Sequence, residues 1–243
     1  ARAEWEPKIA AAAQAYHRLE RETVKAGLRH CTTAHVAPDR VHEVGRELAK
    51  QGLVFLPYKK VGCYEGFAHY HPPVVDGQPW SYYGPIAARI KDAELFCASE
   101  DSGDHDTIAS LLGYPACCIA FFRQVWMRGY IDPVWQAAVT DETVTEARTR
   151  TSIIFDGLRY IGVRLAPHLP CSFDCVPSLE IANAWIALAR DQHITGIDDL
   201  LELLRLPLEW NCLKGIAEVT TEHFRIVTNS MACWPKHTLW VMP

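Results

Sequence analysis

Apolar side chains recur every three to four positions near the start of the chain, which is the spacing of an amphipathic helix. This stripe covers residues 5–26, and Gly27 follows it as a suitable stop. A second helix is predicted over residues 40–51, before a short buried strand at 53–56. We therefore expect a mainly helical N-terminal part over about residues 1–56.

The middle of the chain alternates short apolar runs with polar stretches. Residues 86–93 are predicted as a short helix and 95–98 as a buried strand, and an acidic, polar loop follows over 99–106. Two further helices are predicted over 107–112 and 117–128, and the second of them is strongly apolar. This part is thus expected to combine helices with one short strand.

The C-terminal part changes from helical to β-rich character. Ser178 is a suitable N-cap for a helix over 179–191, and a shorter helix is predicted over 198–204. Three runs rich in β-branched and aromatic residues follow, separated by short polar turns, at residues 208–212, 216–221 and 224–228. They predict a small antiparallel β-meander with Phe224 on its buried face.

Helices outnumber strands in this pattern and the strands gather near the C-terminus, so we expect a helix-rich α+β fold. The chain has 243 residues, of which 49% are hydrophobic, and this is enough to bury one sizeable core. No internal repeat, low-complexity segment or linker interrupts the sequence. A single domain over residues 1–243 is therefore predicted, with a cysteine-site core over about 100–230.

The overall charge and composition limit the kinds of molecule that the protein is expected to bind. A formal net charge of −5, with scattered Lys and Arg, gives no basis for binding nucleic acid or an anionic membrane. No apolar run approaches the ~20 residues that a membrane span needs. The first residues are polar and lack the apolar centre of a secretion signal. Nine cysteines, an odd number, argue against a disulfide scaffold, so the cytoplasm is the expected location.

Four of the cysteines stand in two short motifs. The first is Leu-Leu-Gly-Tyr-Pro-Ala-Cys-Cys over residues 111–118, in which Gly113 and Pro115 predict a turn that leads into a helix. Cys117 and Cys118 then lie in the first helical turn, where unpaired backbone N–H groups and the helix dipole favour a thiolate. This motif is therefore expected to present an anionic sulfur.

The second motif, His168-Leu-Pro-Cys171-Ser-Phe-Asp-Cys175, is expected to meet the first. Cys171 and Cys175 are four positions apart, so both thiols would face the same side of a helical turn. Cys117 and Cys118 are adjacent and would diverge by about 100° on a helix, so only one of them is expected to reach the site. The predicted site has three thiolates, with His168 or an open position as the fourth ligand.

Several kinds of chemistry fit this set of residues. Three thiolates with an open position suit a [4Fe–4S] cluster whose exposed iron acts as a Lewis acid or holds a sulfur atom. Three thiolates with His168 suit a closed tetrahedral zinc site. The vicinal pair could also act without a metal as a thiol or persulfide carrier, or the cysteines could simply pack. The spacing matches neither the paired C-x2-C of zinc ribbons nor the C-x3-C-x2-C of radical-SAM enzymes.

An irregular segment over residues 61–85 is rich in Tyr, His, Pro and Gly, and long irregular segments often line binding sites. His69 and His71 could be ligands on one side of a strand, or two surface histidines beside a Pro-Pro turn. With Glu65 and Tyr114, these histidines could complete a catalytic pocket around the cysteines. The sequence identifies no partner for Glu65.

Three blocks of sequence carry a family resemblance. They are Gly113-Tyr-Pro-Ala-Cys-Cys118 with Phe121-Phe122, the second cysteine motif extended to Ser178, and Glu209-Trp210 with Gly215-Ile-Ala-Glu-Val-Thr-Thr221. Over about residues 105–230 the chain resembles an uncharacterised family of prokaryotic cysteine-motif proteins, which implies no particular activity. A looser similarity is to the twin-cysteine cluster domains of heterodisulfide reductases, which hold a four-iron cluster. This chain departs from those domains in its Cys-x3-Cys spacing and its longer gap between motifs.

The sequence alone favours an enzyme with a three-cysteine [4Fe–4S] cluster whose open iron binds a small-molecule substrate or sulfide. Sulfur transfer or a lyase or dehydratase reaction would fit, with His168 as an acid/base group or as a donor behind the ligands, and with a sulfur or electron donor protein as a partner. No P-loop or Gly-x-Gly-x-x-Gly motif suggests ATP or a nicotinamide. The alternative is a binding or scaffold protein with a structural zinc ion.

Overall fold

A computed structural model describes the chain at residues 2–62, 71, 73–125, 148–150, 152–213, 216–229 and 238–241. These residues form seven α-helices and two antiparallel sheets, so the fold class is α+β, as predicted. Contacts divide the chain into two compact units. The smaller unit comprises Glu20–Tyr64 and Ala68–Tyr114, and the larger unit comprises Ala1–Leu19, Glu65–Phe67 and Pro115–Pro243. The single-domain organisation stays a prediction.

A four-stranded antiparallel sheet forms the centre of the smaller unit. Its strands are β1 (Cys31–Val36), β2 (Val54–Phe55), β3 (Lys59–Gly62) and β4 (Trp80–Ala87). β4 pairs with each of the other three strands, and its last five residues are all buried. The strand predicted at 53–56 is thus confirmed as β2, whereas β1 lies within the part that was expected to be mainly helical.

Four helices contribute to the smaller unit, and the first of them belongs to it only from Glu20 onward. They are α1 (Arg2–Lys25), α2 (Val41–Lys50), α3 (Ile90–Ser102) and α4 (His105–Leu111). The first two confirm the helices predicted over 5–26 and 40–51. Asp104 caps α4, because its carboxylate accepts the backbone N–H of Thr107 at 3.1 Å.

The strand predicted over 95–98 is wrong, and the helix predicted over 86–93 is confirmed only over its second half. β4 ends at Ala87 and so includes the first two residues of the predicted helix. α3 begins at Ile90 and contains residues 90–93, the predicted strand over 95–98 and part of the predicted acidic loop. Ala93, Phe96 and Ser99 are buried on one face of α3 at a spacing of three, which is helical. Short apolar runs such as these fit a buried strand and a buried helix equally well, and the packing of the whole unit decides between them.

A five-stranded antiparallel sheet, in the order β5-β6-β7-β8-β9, belongs to the larger unit. Its strands are β5 (Arg148–Arg150), β6 (Leu208–Leu213), β7 (Ile216–Thr221), β8 (Phe224–Asn229) and β9 (Thr238–Val241). The middle three strands are the predicted meander, and Val219 on β7 faces Ile226 on β8 in the ladder. Both of these residues and Phe224 are buried, as expected of one face of the meander.

The remaining helices of the larger unit are α5 (Ala116–Val125), α6 (Val176–Asp191) and α7 (Ile197–Arg205), with a 3₁₀ turn at Asp156–Ile161. Their apolar faces share one core with α1 and the meander, in which Tyr16, Leu158 and Leu200 are fully enclosed. Within the described part of the chain, no helix combines the length and hydropathy that a membrane span would need.

Asp156 is a charged group inside this core. Only 1% of its surface is exposed, and no described residue donates a hydrogen bond to either carboxylate oxygen. Burial raises the pKa of Asp156 to about 6, and the nearby cations of Arg159 and Arg164 offset only part of this shift. The folded protein therefore bears the cost of an enclosed carboxylate whenever Asp156 is ionised.

Replacing Asp156 by asparagine is expected to stabilise the protein at pH 8. Between about pH 4 and pH 6 the folded state keeps a proton that the unfolded state has lost, so the free energy of unfolding falls as the pH rises through this range. The difference between the two proteins should approach 3 kcal/mol at most, at about 1.4 kcal/mol per pKa unit, and should shrink below pH 4. Denaturant unfolding from pH 4 to pH 8 measures it. A difference that does not change with pH would contradict this prediction.

Candidate metal centre

Four cysteine sulfurs from the two sequence motifs lie together in the larger unit. The Sγ atoms of Cys117, Cys118, Cys171 and Cys175 are all within 4.8 Å of one another. Cys175 Sγ lies 3.7 Å from Cys117 Sγ and 3.7 Å from Cys118 Sγ, and the two vicinal sulfurs are 3.9 Å apart. The prediction that the two motifs meet within reach of one metal ion is therefore confirmed. A group of this kind can bind a metal.

The first two sulfurs are presented by the start of α5. Gly113, with φ of +76°, makes the turn that precedes it, a conformation that other residues adopt only with strain. Cys117 and Cys118 then occupy the first helical turn after Ala116. Because side chains on a helix lean toward its N-terminus, both can extend past the end of the helix to the same point. The expectation that only one of these two sulfurs reaches the site is thus wrong.

The other two sulfurs are presented by a tight turn that leads into α6. The backbone N–H of Cys175 donates to the carbonyl of Ser172 at 3.3 Å and closes the turn, and Cys175 stands at the N-cap of the helix. The turn is held from behind by Ser152, whose hydroxyl donates to the carbonyl of Phe173 at 2.8 Å. Cys171 and Cys175 therefore face together, as their spacing predicted.

The two motifs are also joined by a hydrogen bond. The backbone N–H of Cys171 donates to Cys118 Sγ at 3.4 Å. Cys118 and Cys175 are buried, Cys171 is half-buried and Cys117 is exposed. The group of sulfurs is therefore enclosed on the side of Cys118 and open to solvent at Cys117.

Ser178 lies behind the sulfurs and contacts two of them. Its hydroxyl donates to Cys175 Sγ at 3.2 Å and is 3.4 Å from Cys118 Sγ. The prediction that Ser178 caps α6 is wrong, because the helix begins earlier, at Val176. The side chain of Ser178 is fully buried in the first turn and is turned toward the cysteines.

His168 is connected to the sulfurs through Ser178. Its Nε2 atom is 2.8 Å from the Ser178 hydroxyl oxygen, and both side chains are buried. Burial lowers the pKa of His168 to about 3, so the ring is neutral. Ser178 has one proton and gives it to a sulfur, so the neutral ring supplies the N–H that Ser178 accepts. Ser178 therefore lies between His168 and the sulfurs, and His168 does not occupy the position of a fourth ligand.

The pKa values of the cysteine thiols are shifted by burial and by hydrogen bonds. Burial raises the pKa of the Cys118 thiol strongly and that of Cys171 to about 11. Burial also acts on Cys175, but hydrogen bonds from the hydroxyl and backbone N–H of Ser178 and from neighbouring thiols outweigh it and lower the pKa of Cys175. The raised pKa values keep Cys118 and Cys171 protonated at neutral pH unless a bound cation balances the charge of their thiolates.

The other predicted site residues are distributed differently. In the described part of the chain, the only group of at least three potential metal ligands consists of the four cysteines. His71 belongs to the smaller unit, where its ring lies tilted against that of Tyr83 with centroids 4.1 Å apart. Tyr114 is half-buried and ends the same unit. Glu65 and His69 lie outside the described residues.

Sequence reasoning missed the role of Ser178. The one available signal was its spacing, since a hydroxyl three residues after Cys175 at the start of a helix can turn back toward the preceding sulfur. The preference of serine for helix N-caps instead led to the prediction that Ser178 caps the helix.

Comparison of the chain with protein-family models, with curated proteins and with solved structures finds no match, so the family resemblance of the cysteine motifs stays a prediction.

Proposed function

We propose that the four cysteines hold a single zinc ion and that the protein is a zinc-stabilised binding or scaffold protein. The supporting observation is the spacing of the sulfur atoms. Four thiolates about 2.3 Å from one zinc ion in a tetrahedron are separated from each other by about 3.8 Å. The Sγ–Sγ distances among Cys117, Cys118 and Cys175, which are 3.7, 3.7 and 3.9 Å, match this value, and Cys171 Sγ lies within 4.8 Å of all three.

The chemistry of the ligands agrees with this proposal. Four thiolates in a tetrahedron are the preferred donors of zinc and leave no open coordination position, which is typical of structural zinc sites. The ion would tie the start of α5 to the turn before α6, two segments more than fifty positions apart in sequence. Because such a site does not exist in the unfolded chain, the free energy of zinc binding adds directly to the stability of the fold.

The iron–sulfur enzyme predicted from the sequence is the second candidate. Each iron of a [4Fe–4S] cluster holds its own thiolate at a corner of a cube, which places the ligand sulfurs about 6 Å apart. The measured spacing is shorter by roughly 2 Å, so the sulfurs would have to separate. The exposure of Cys117 is the observation that favours this candidate, since in a cluster held by the other three cysteines the iron that Cys117 does not ligate would face solvent there and could bind a small molecule.

Metal and sulfide analysis of the protein, purified under anaerobic and reducing conditions, tests the proposal. We expect a colourless protein with one zinc ion per chain and no acid-labile sulfide, and substitution by cobalt should give the spectrum of a tetrahedral thiolate site. A chelator should then lower the melting temperature, because the metal stabilises the fold. A brown protein with iron and sulfide in equal amounts would support the cluster enzyme and contradict the zinc proposal.

Replacing Ser178 by alanine is expected to weaken zinc binding by about tenfold, in the lower part of the range for groups that support metal ligands. The variant removes the proton donated to Cys175 Sγ and leaves the buried His168 without its hydroxyl partner. Competition with a chromophoric chelator measures the affinity. Ser172→Ala is the matched control, because the turn uses the carbonyl of Ser172 and the variant retains that group. Equal affinities for the two variants would contradict this role.

A further inference from the structure

The four sulfurs differ in how far solvent can reach them. Cys117 is exposed, whereas Cys118 and Cys175 are buried and Cys171 is half-buried. In the described part of the chain, the contacts of Cys117 Sγ are with the sulfurs of Cys118 and Cys175. A small molecule arriving from solvent therefore meets the sulfur of Cys117 first.

The sulfurs also differ in their hydrogen bonds. Cys118 Sγ accepts the backbone N–H of Cys171 at 3.4 Å, and Cys175 Sγ accepts the hydroxyl of Ser178 at 3.2 Å. Such donors draw electron density away from a thiolate and make it a weaker nucleophile. Because no N–H or O–H donor is found at Cys117 Sγ within the part of the chain that the structure describes, we expect it to be both the most accessible and the most electron-rich of the four.

A second thiol stands ready to react with an oxidised Cys117. Cys175 Sγ lies 3.7 Å away, so small rotations of the two side chains would bring the sulfurs to the ~2.05 Å of a disulfide. Cys118 Sγ is about as close, but a disulfide between adjacent residues closes a small ring around one peptide bond and strains its planarity. Cys175 is therefore the better partner. Solvent-accessible thiolates beside such a partner are typical of cysteines that respond to oxidants.

We propose that Cys117 is an oxidation site for hydroperoxides and that its reaction with Cys175 releases the zinc ion. This inference rests on the proposed zinc site. In the first step the Cys117 thiolate attacks peroxide, the O–O bond breaks, a sulfenic acid forms and hydroxide leaves. In the second step the Cys175 thiolate attacks that sulfur, the S–S bond forms and a second hydroxide leaves. Two thiolates thus lose two electrons to one peroxide.

Loss of the metal follows from this chemistry. The disulfide removes two of the four thiolates, and the two sulfurs that remain bind zinc far more weakly than four. Zinc leaves as the divalent ion, so the metal itself undergoes no redox change. The oxidised protein is then expected to lose the stabilisation that zinc gave, and a thiol reductant with zinc should restore it.

The test treats the reduced, zinc-loaded full chain with hydrogen peroxide and follows free zinc with a chromophoric chelator. We expect one zinc ion released for each peroxide consumed, and a disulfide between Cys117 and Cys175 after rapid acid quenching, alkylation and peptide mapping. Cys117→Ser should release zinc at least about tenfold more slowly. Cys97→Ser, which changes a half-buried free thiol in the smaller unit, should behave like the wild type.

The outcomes separate this inference from the zinc proposal. The inference would be overturned by a disulfide that joins Cys175 to Cys118 or Cys171. It would also be overturned if zinc stayed bound while other cysteines were oxidised. Neither result would contradict the proposed zinc site of the reduced protein. A reduced protein without zinc would overturn the proposed function and, with it, the release of zinc, whereas the disulfide map would still show whether Cys117 and Cys175 react with each other. If Cys117→Ser does not retain zinc, the disulfide map of the wild type decides the question.

Discussion

Replacing Cys118 by serine is expected to remove zinc from the protein and to lower its melting temperature sharply. Cys118 is buried at the centre of the group, with Cys175 Sγ at 3.7 Å and the N–H of Cys171 directed at its sulfur. A serine hydroxyl reaches less far than a thiolate and is a harder, weaker ligand for zinc, and the burial of Cys118 keeps bulk water away from its position. Structural zinc sites contribute on the order of 10 kcal/mol of binding energy at neutral pH, so this loss exceeds that of an ordinary substitution.

The other cysteines provide graded controls for this variant. Cys117→Ser should retain zinc with reduced affinity, because an exposed position lets water complete the coordination as it does in sites with three protein ligands. Cys31→Ser and Cys97→Ser change free thiols of the smaller unit and should keep the full zinc content. Metal analysis after gel filtration and thermal unfolding measure the series. Full zinc content in Cys118→Ser would show that Cys118 is not a ligand and would contradict the four-thiolate site.

Replacing Phe224 by alanine is expected to lower the free energy of unfolding by about 3–5 kcal/mol, the usual range for a buried aromatic residue. The ring is fully buried in the core of the larger unit, 6.3 Å from the ring of Trp5. The backbone of Phe224 is held by the hydroxyl of Thr221, which contacts its N–H at 3.0 Å and its carbonyl at 3.1 Å. These bonds remain in the variant, so the expected loss comes from packing alone.

Glu222→Ala is the matched control for Phe224→Ala. Glu222 is exposed in the same turn, so its removal should change the free energy of unfolding by less than about 0.5 kcal/mol. Urea denaturation of the zinc-loaded proteins measures both variants. A loss below about 1 kcal/mol in Phe224→Ala would mean that the side chain does not belong to the core and that the register of the meander is different.

Several parts of the fold were accessible from the sequence because the signals were local and strong. The stripe of α1 is long enough for its period to be unambiguous, and the meander is marked by β-rich runs between polar turns. The meeting of the two cysteine motifs could also be predicted, since each motif by itself favours an anion and a shared cation satisfies both.

Other parts depended on contacts that no local pattern records. Residues 80–87 form a central strand because three other strands pair with them. Residues 95–98 are helical because α3 buries one of its faces at helical spacing. β1 (Cys31–Val36) was not expected at all, since its polar threonines and histidine hide the alternation of a strand.

The composition of the candidate metal site was the least predictable feature. Counting residues per helical turn separates the directions of Cys117 and Cys118, but side chains in a first turn can bend around the end of the helix. Spacing in sequence also gives no distance between sulfurs, and this distance is what favours a single ion over a cluster of four irons. Likewise, serine is a common N-cap residue, so the sequence predicted that Ser178 caps the helix and did not indicate its contact with the sulfurs.

X-ray absorption spectroscopy of the reduced protein is the most direct test of the zinc assignment, because it measures the metal and its neighbours together. At the zinc edge we expect four sulfur atoms at about 2.3 Å and no metal neighbour. The Sγ–Sγ spacing of 3.7 to 3.9 Å among Cys117, Cys118 and Cys175 agrees with this geometry. An absence of zinc, together with an iron edge that shows sulfur and neighbouring iron atoms, would contradict the assignment and establish an iron–sulfur cluster in its place.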